Sequence, residues 1–128
     1  MLEPCEALTF WLSLDESDEE TGCLRYVPGS YRDGVRPHGR SKTLGFSQSI
    51  IDYAANDCPS ETAVPAKPGD LLVHHALCIH RADENESFHR HRRSLGLVYY
   101  SKRARQDTAQ LQAYQQKLNK ELSEAGKI

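Results

Sequence analysis

The sequence predicts a mainly β fold that ends in an α-helix. Short apolar stretches recur at 7–14, 23–27, 71–79 and 94–100, partly alternating with polar residues, as half-buried strands do. Breaks such as Pro28-Gly29 and Pro68-Gly69-Asp70 separate them. Near the end the period changes: Leu111, Tyr114, Leu118 and Leu122 recur every three or four residues, one face of a helix.

The first strand, Ala7 to Leu14, leads into the acidic turn Asp15 to Gly22. The second strand, Cys23 to Val27, follows, and the pair reads as a hairpin. Ser30 to Val64 holds Gly34, Pro37, Gly39, Gly45 and Pro59 and little periodicity. It reads as a long loop with a helical turn near Ser49 to Ala55, and loops of that length are usually functional. A third strand runs from Leu71 to about Ile79, then a polar turn from Ala82 to His91, then the strand Ser94 to Tyr100. Asp107, with Gln110 three residues on, caps the final helix, and Gly126 ends it. The helix stripe is expected to pack against the sheet.

At 128 residues the chain has the size of one small domain, with 1–102 as the β portion and 103–128 as the helix. Hydrophobic residues at 38% and charged residues at 27% describe a soluble globular chain. A net charge of -2 argues against a nucleic-acid partner. No apolar run reaches the roughly 20 residues of a membrane helix, and the N-terminus lacks a secretory signal pattern. Cys5, Cys23, Cys58 and Cys78 are widely spaced and form no C-x-x-C pair. They read as buried free thiols of a cytoplasmic protein.

Chemistry concentrates late in the chain. Five of the six histidines, His74, His75, His80, His89 and His91, fall within eighteen positions, with Arg92 and Arg93 beside the last. On one straight strand His74 and His80 would stand roughly 20 Å apart, too far to grip one ion. A facial iron triad needs two histidines and a carboxylate, often two of them at i and i+2 on one strand. Two places after each histidine stand Arg40, Ala76, Leu77, Ala82, His91 and Arg93. None is a carboxylate. On a strand Arg92, Ser94 and Gly96 share a face. A guanidinium fork, a hydroxyl and free space suit a carboxylate ligand; two solvated arginines at a strand edge are the plainer alternative.

Thr9-Phe10-Trp11-Leu12-Ser13-Leu14-Asp15, then Gly22-Cys23-Leu24-Arg25-Tyr26-Val27-Pro28-Gly29-Ser30, resemble the W-x-x-L-D … G-C-L-x-x-x-P-G-S pattern of the phytanoyl-CoA dioxygenase family. Pro68 to His75 with Ile79-His80 resemble its late strand and distal iron histidine, and Asn85 and Arg92-Arg93-Ser94 complete the pattern. The resemblance covers about Ala7 to Tyr100. It implies part of a double-stranded β-helix, the jelly-roll or cupin-like fold. It also implies a hydroxylase of a small-molecule substrate that uses iron(II) and 2-oxoglutarate. By resemblance His80 is the distal iron ligand, Arg92 holds the distal carboxylate of 2-oxoglutarate, Ser94 assists, and Trp11 lines the co-substrate pocket.

Two departures stand out. The family's H-x-D pair precedes the Trp11 strand, and these 128 residues contain none. Ala82 stands where the family often has serine. The chain therefore reads as the C-terminal part of such an oxygenase, inactive by itself, with exposed sheet edges that allow homo-oligomers. Two rivals remain: a non-catalytic domain binding a small carboxylate or a protein, and a metal-binding module using His74, His75, His89 and His91.

Overall fold

The computed structural model describes residues 2–41, 48–53 and 57–124. Ten strands and one helix are present among them: β1 Leu2–Glu3, β2 Ala7–Ser13, β3 Leu24–Tyr26, β4 His38–Arg40, β5 Gln48–Ile50, β6 Thr62–Val64, β7 Leu71–His75, β8 His80–Ala82, β9 Ser94–Tyr100, β10 Arg105–Gln106 and α1 Thr108–Glu124. Short 3-10 turns occupy Ser30–Asp33 and Cys58–Ser60. The fold is mainly β with a C-terminal helix, as the apolar pattern predicts.

The chain forms two compact units. Leu8–Tyr99 make up one, and the segments up to Ala7 and from Tyr100 onward make up the other. In the smaller unit β1 pairs antiparallel with β10, Leu2 opposite Gln106. There α1 starts as its sequence requires. The Asp107 carboxylate accepts from the Gln110 backbone N–H at 2.9 Å, satisfying a donor that the first helical turn leaves open. No side chain of α1 is fully buried, so the expected core stripe is only half covered. Gly126 lies outside the described residues.

The larger unit holds two three-stranded sheets, ordered β7-β2-β9 and β6-β3-β8. The expected β2–β3 hairpin does not form. β2 pairs with β7, Phe10 opposite Val73, while β3 pairs with β6 and β8, Leu24 opposite both Val64 and Ala82. The acidic connection is a structured crossing rather than a tight turn. Thr21 donates its backbone N–H to Asp18 Oδ1 at 3.0 Å, and its hydroxyl accepts from the Asp18 N–H at 2.9 Å. Ser17 and Ala66 exchange backbone bonds at 2.8 Å. These bonds pair the Ser17, Asp18 and Thr21 N–H groups where the chain leaves one sheet for the other.

Other sequence expectations also shift. The long loop contains β4 and β5, paired antiparallel with His38 opposite Ile50, and β6. The helical turn expected from Ser49 is strand at its start, and Ala54 and Ala55 lie outside the described residues. Strands of three residues carry too little alternation to be read from sequence. The strand expected to run from Leu71 to Ile79 stops at His75. The Cys78 N–H turns back onto the His75 carbonyl at 2.9 Å, and the Leu77 N–H donates to His75 Nδ1 at 3.1 Å. That turn sends the chain from one sheet to the other.

The buried apolar set among the described residues is small: Ala7, Cys23, Leu24, Val27, Ala66 and Ile79. Of the four free cysteines only Cys23 is buried, and Cys58 is exposed, against the expectation of four buried thiols. Among the described residues no helix is long and apolar enough to cross a membrane.

Candidate functional site

Alternation sorts the β7-β2-β9 sheet into two faces. Leu8, Phe10, Leu12, Leu95, Leu97 and Tyr99 line an apolar groove on one side. The other face carries Thr9 and Trp11 of β2. Thr9 stands opposite His74 and Trp11 opposite Leu72. A Cβ placed on Gly96 would lie 3.5 Å from the Trp11 ring, so Gly96 and Trp11 are neighbours on this face. Ser94 belongs to the same row of β9. Arg92 lies two residues ahead of Ser94, just before the strand begins.

The turn after β7 brings together residues that a straight strand would keep apart. The rings of His74 and His80 have centroids 4.3 Å apart at 48°, which corrects the expectation of roughly 20 Å. Tyr26 stands opposite His80 across β3 and β8. Its hydroxyl lies 2.9 Å from His74 Nδ1. His80 Nδ1 lies 2.9 Å from the Cys78 carbonyl oxygen. That oxygen can only accept, so the proton is on Nδ1 and the lone pair on Nε2. An open cavity of about 460 Å³ adjoins the cluster, lined by Tyr26, Tyr31, Val64, Leu72, His74 and Cys78.

Burial governs the protonation of this cluster. His74 is 6% exposed. Its pKa falls to about 4, through burial first and the neighbouring His80 second. Burial raises the Tyr26 hydroxyl to about 12. Both side chains are therefore neutral near pH 7. His74 Nε2 is buried and has no hydrogen-bond partner among the described residues. Buried polar atoms rarely stay unpaired.

Arginine pairing separates the candidate cation from its neighbours. Arg93 holds Asp15 through Nε and Nη2 at 2.9 and 2.8 Å, which depresses the Asp15 carboxyl well below its ordinary value. Arg90 holds Asp18 and Glu20. Arg25 and Arg81 face each other across β3 and β8, a like-charge pair that would repel unless screened. Asp83 binds both, Glu19 binds Arg25 and Glu61 binds Arg81. Arg92 has no carboxylate partner among the described residues. Sequence reasoning singled out His80, Arg92, Ser94 and Trp11. It missed Tyr26, which carries no motif as a binding residue and reaches the cluster only through its cross-strand position.

The described residues fit the two implied ligands unequally. A guanidinium without a carboxylate partner among the described residues, two residues ahead of Ser94, suits a carboxylate such as that of 2-oxoglutarate. For iron, His80 presents an open Nε2, but no group of three histidine, cysteine or acidic side chains among the described residues could hold a metal ion.

Comparison with known proteins places the chain in a class. The family profile described as "Phytanoyl-CoA dioxygenase (PhyH)" matches residues 2–94, and the chain belongs to that family. A Caenorhabditis elegans protein named "Phytanoyl-CoA dioxygenase domain-containing protein 1 homolog" is 32% identical over 96 residues, covering 67% of this chain and 32% of the relative. An Arabidopsis thaliana phytanoyl-CoA dioxygenase is 33% identical over 99 residues, covering 75% and 34%. The chain thus spans about a third of the length of these relatives. Among solved structures, EvdO2 from Micromonospora carbonacea var. aurantiaca complexed with 2-oxoglutarate superposes with a TM-score of 0.65 at 34% identity, over 75% of this chain and 38% of that one. The epimerase SnoN, in complex with Fe3+, alpha ketoglutarate and nogalamycin RO, gives 0.60 at 27% identity, over 77% and 37%.

Proposed function

We propose that the chain is the distal part of an iron(II)- and 2-oxoglutarate-dependent oxygenase acting on a small organic substrate. Its two three-stranded sheets are read as facing walls of a double-stranded β-helix. The observation that carries the reading is Arg92, a cation without a carboxylate partner among the described residues, two residues ahead of Ser94 on the strand whose Gly96 lies beside Trp11. Arg92 binds the distal carboxylate of 2-oxoglutarate through its two parallel N–H groups. Ser94 adds a hydroxyl on the same face. The bare Cα of Gly96 leaves space next to the Trp11 ring for the carbon chain. His80 directs Nε2 to the metal, with its ring fixed by the Cys78 carbonyl. Iron with 2-oxoglutarate supplies the oxidising power, and the chain's own residues bind and orient.

These 128 residues contain no His-x-Asp sequence, and one imidazole holds iron(II) poorly. The chain by itself is therefore a carboxylate-binding unit that does not turn over. A titration with 2-oxoglutarate followed by NMR tests the binding half. Arg92→Ala should weaken binding about 10- to 100-fold, the worth of a charge-assisted pair, and Arg93→Ala should not. Equal affinity in wild type and Arg92→Ala would overturn the assignment. Succinate formed above background from iron(II), 2-oxoglutarate and oxygen would overturn the inactivity.

A further inference from the structure

We propose that His74 joins His80 as a second imidazole ligand, forming a two-histidine site for a divalent transition metal ion, with Tyr26 fixing the His74 ring. The inference rests on the reading of His80 as a metal ligand and adds His74, a residue of the same late strand to which the resemblance assigns no role.

Both histidines share one arrangement. In each, Nδ1 is engaged by an oxygen at 2.9 Å, the Cys78 carbonyl for His80 and the Tyr26 hydroxyl for His74. In each, Nε2 is the nitrogen left over. Metal-ligating histidines characteristically donate their other N–H to an oxygen, which fixes tautomer and ring orientation. The phenol oxygen accepts readily, so His74 can carry its proton on Nδ1 and present a lone pair on Nε2. That atom is buried and unpaired among the described residues, and its lone pair is the one a metal ion would take.

Spacing agrees. Two imidazoles bound through Nε2 to one ion at ~2.1 Å put their ring centroids roughly 4.6 Å apart at the right angle of an octahedral ion and roughly 5.3 Å apart at the tetrahedral angle. The rings here are 4.3 Å apart and inclined at 48°. Both ligands stand on strands, His74 opposite Thr9 and His80 opposite Tyr26. The pairing that places His80 therefore also places the hydroxyl that orients His74. Of the nearby acids, Asp83 is held by Arg25 and Arg81. The remaining coordination positions fall to water or ligand oxygens. Two imidazole nitrogens as ligands favour zinc, nickel, cobalt, copper or iron(II) over magnesium or calcium.

The test uses zinc(II) alone with the full 128-residue chain, without 2-oxoglutarate. Two-dimensional NMR of the imidazole nitrogens should show Nε2 of both His74 and His80 shifting at one equivalent, with Nδ1 of each still protonated. By calorimetry, His74→Phe and His80→Phe should each weaken binding at least tenfold. Tyr26→Phe should weaken it about tenfold by freeing the His74 ring, whereas His89→Ala and His91→Ala should leave it unchanged. Binding that needs His80 but ignores His74 would overturn the two-imidazole site and leave the family reading of His80 intact. Binding indifferent to both, or no shift at His74 Nε2 in the wild-type spectrum, would also overturn it. The spectrum needs no variant, so a misfolded mutant cannot obscure the result.

Discussion

Arg81 grips Glu61 through two parallel hydrogen bonds, Nε to Oε1 at 2.6 Å and Nη2 to Oε2 at 2.8 Å. The Glu61 side chain is only 5% exposed, and Arg81 follows His80 directly on β8. The pair ties the segment just ahead of β6 to the strand that carries the candidate metal ligand. Arg81→Ala should strand the carboxylate and destabilise the chain by about 3 kcal/mol. Replacing both partners, Arg81→Met with Glu61→Leu, should recover most of the loss. Urea unfolding of the single and double variants checks this, and a double variant no more stable than Arg81→Ala would refute it.

Arg90 reaches back to the acidic crossing and donates to Asp18 at 2.7 Å. That bond, helped by the Thr21 N–H, lowers the Asp18 pKa to about 2. The folded pKa lies below the unfolded one, so the stabilisation is full above the ordinary carboxylate value of 3.8 and fades as pH falls toward about 2. In Arg90→Gln, Asp18 should titrate nearer its ordinary value, and part of the acid sensitivity between pH 4 and pH 2 should vanish. Carboxyl NMR titration reads the first effect and acid unfolding the second. An unchanged Asp18 titration would show that Arg90 does not set it.

The sequence made some of this legible and hid the rest for physical reasons. The long alternating strands β2 and β9 and the capped helix α1 stand out because periodicity and capping are local signals. Strand pairing is not local. The stretch from Leu71 to His80 reads as one apolar run, and the sharp return at Ala76–Cys78 has neither Gly nor Pro to announce it. Reading it as straight separated His74 from His80 and concealed their meeting. Ser94 and Gly96 share a row of β9 that alternation alone predicts, whereas Arg92 falls just before the strand begins. Tyr26 could not be singled out, since its approach to His74 depends on β3 and β7 lying in different sheets.

Gly22 sits at φ +76°, a left-handed conformation that side chains rarely adopt. A Cβ there would also strike the Asp83 carbonyl and come within 2.8 Å of the Glu84 oxygen. Both are backbone and cannot swing aside. Gly22→Ala should cost about 3 kcal/mol or more through combined strain and overlap, enough to unfold much of a chain with so small a buried core. Thermal unfolding followed by circular dichroism checks it, with Gly34→Ala as the comparison. Gly34 has φ +70° but nothing within 4 Å of an added Cβ, so its variant suffers backbone strain alone and should melt at a clearly higher temperature.

Gly96 offers a test of the carboxylate pocket that leaves the fold largely alone. An added Cβ would meet the Trp11 ring at 3.5 and 3.6 Å, ordinary contact distances, and alanine suits a strand better than glycine does. Gly96→Ala should therefore change stability by less than about 1 kcal/mol. A larger side chain would extend along the face that Gly96 shares with Trp11, where the carbon chain of 2-oxoglutarate is assigned. Gly96→Leu should keep the circular dichroism of the wild type and weaken 2-oxoglutarate binding at least tenfold. The two substitutions share a position and differ in bulk, so comparing them separates pocket volume from strand propensity. If Gly96→Leu binds 2-oxoglutarate as the wild type does, the co-substrate does not lie between Arg92 and Trp11.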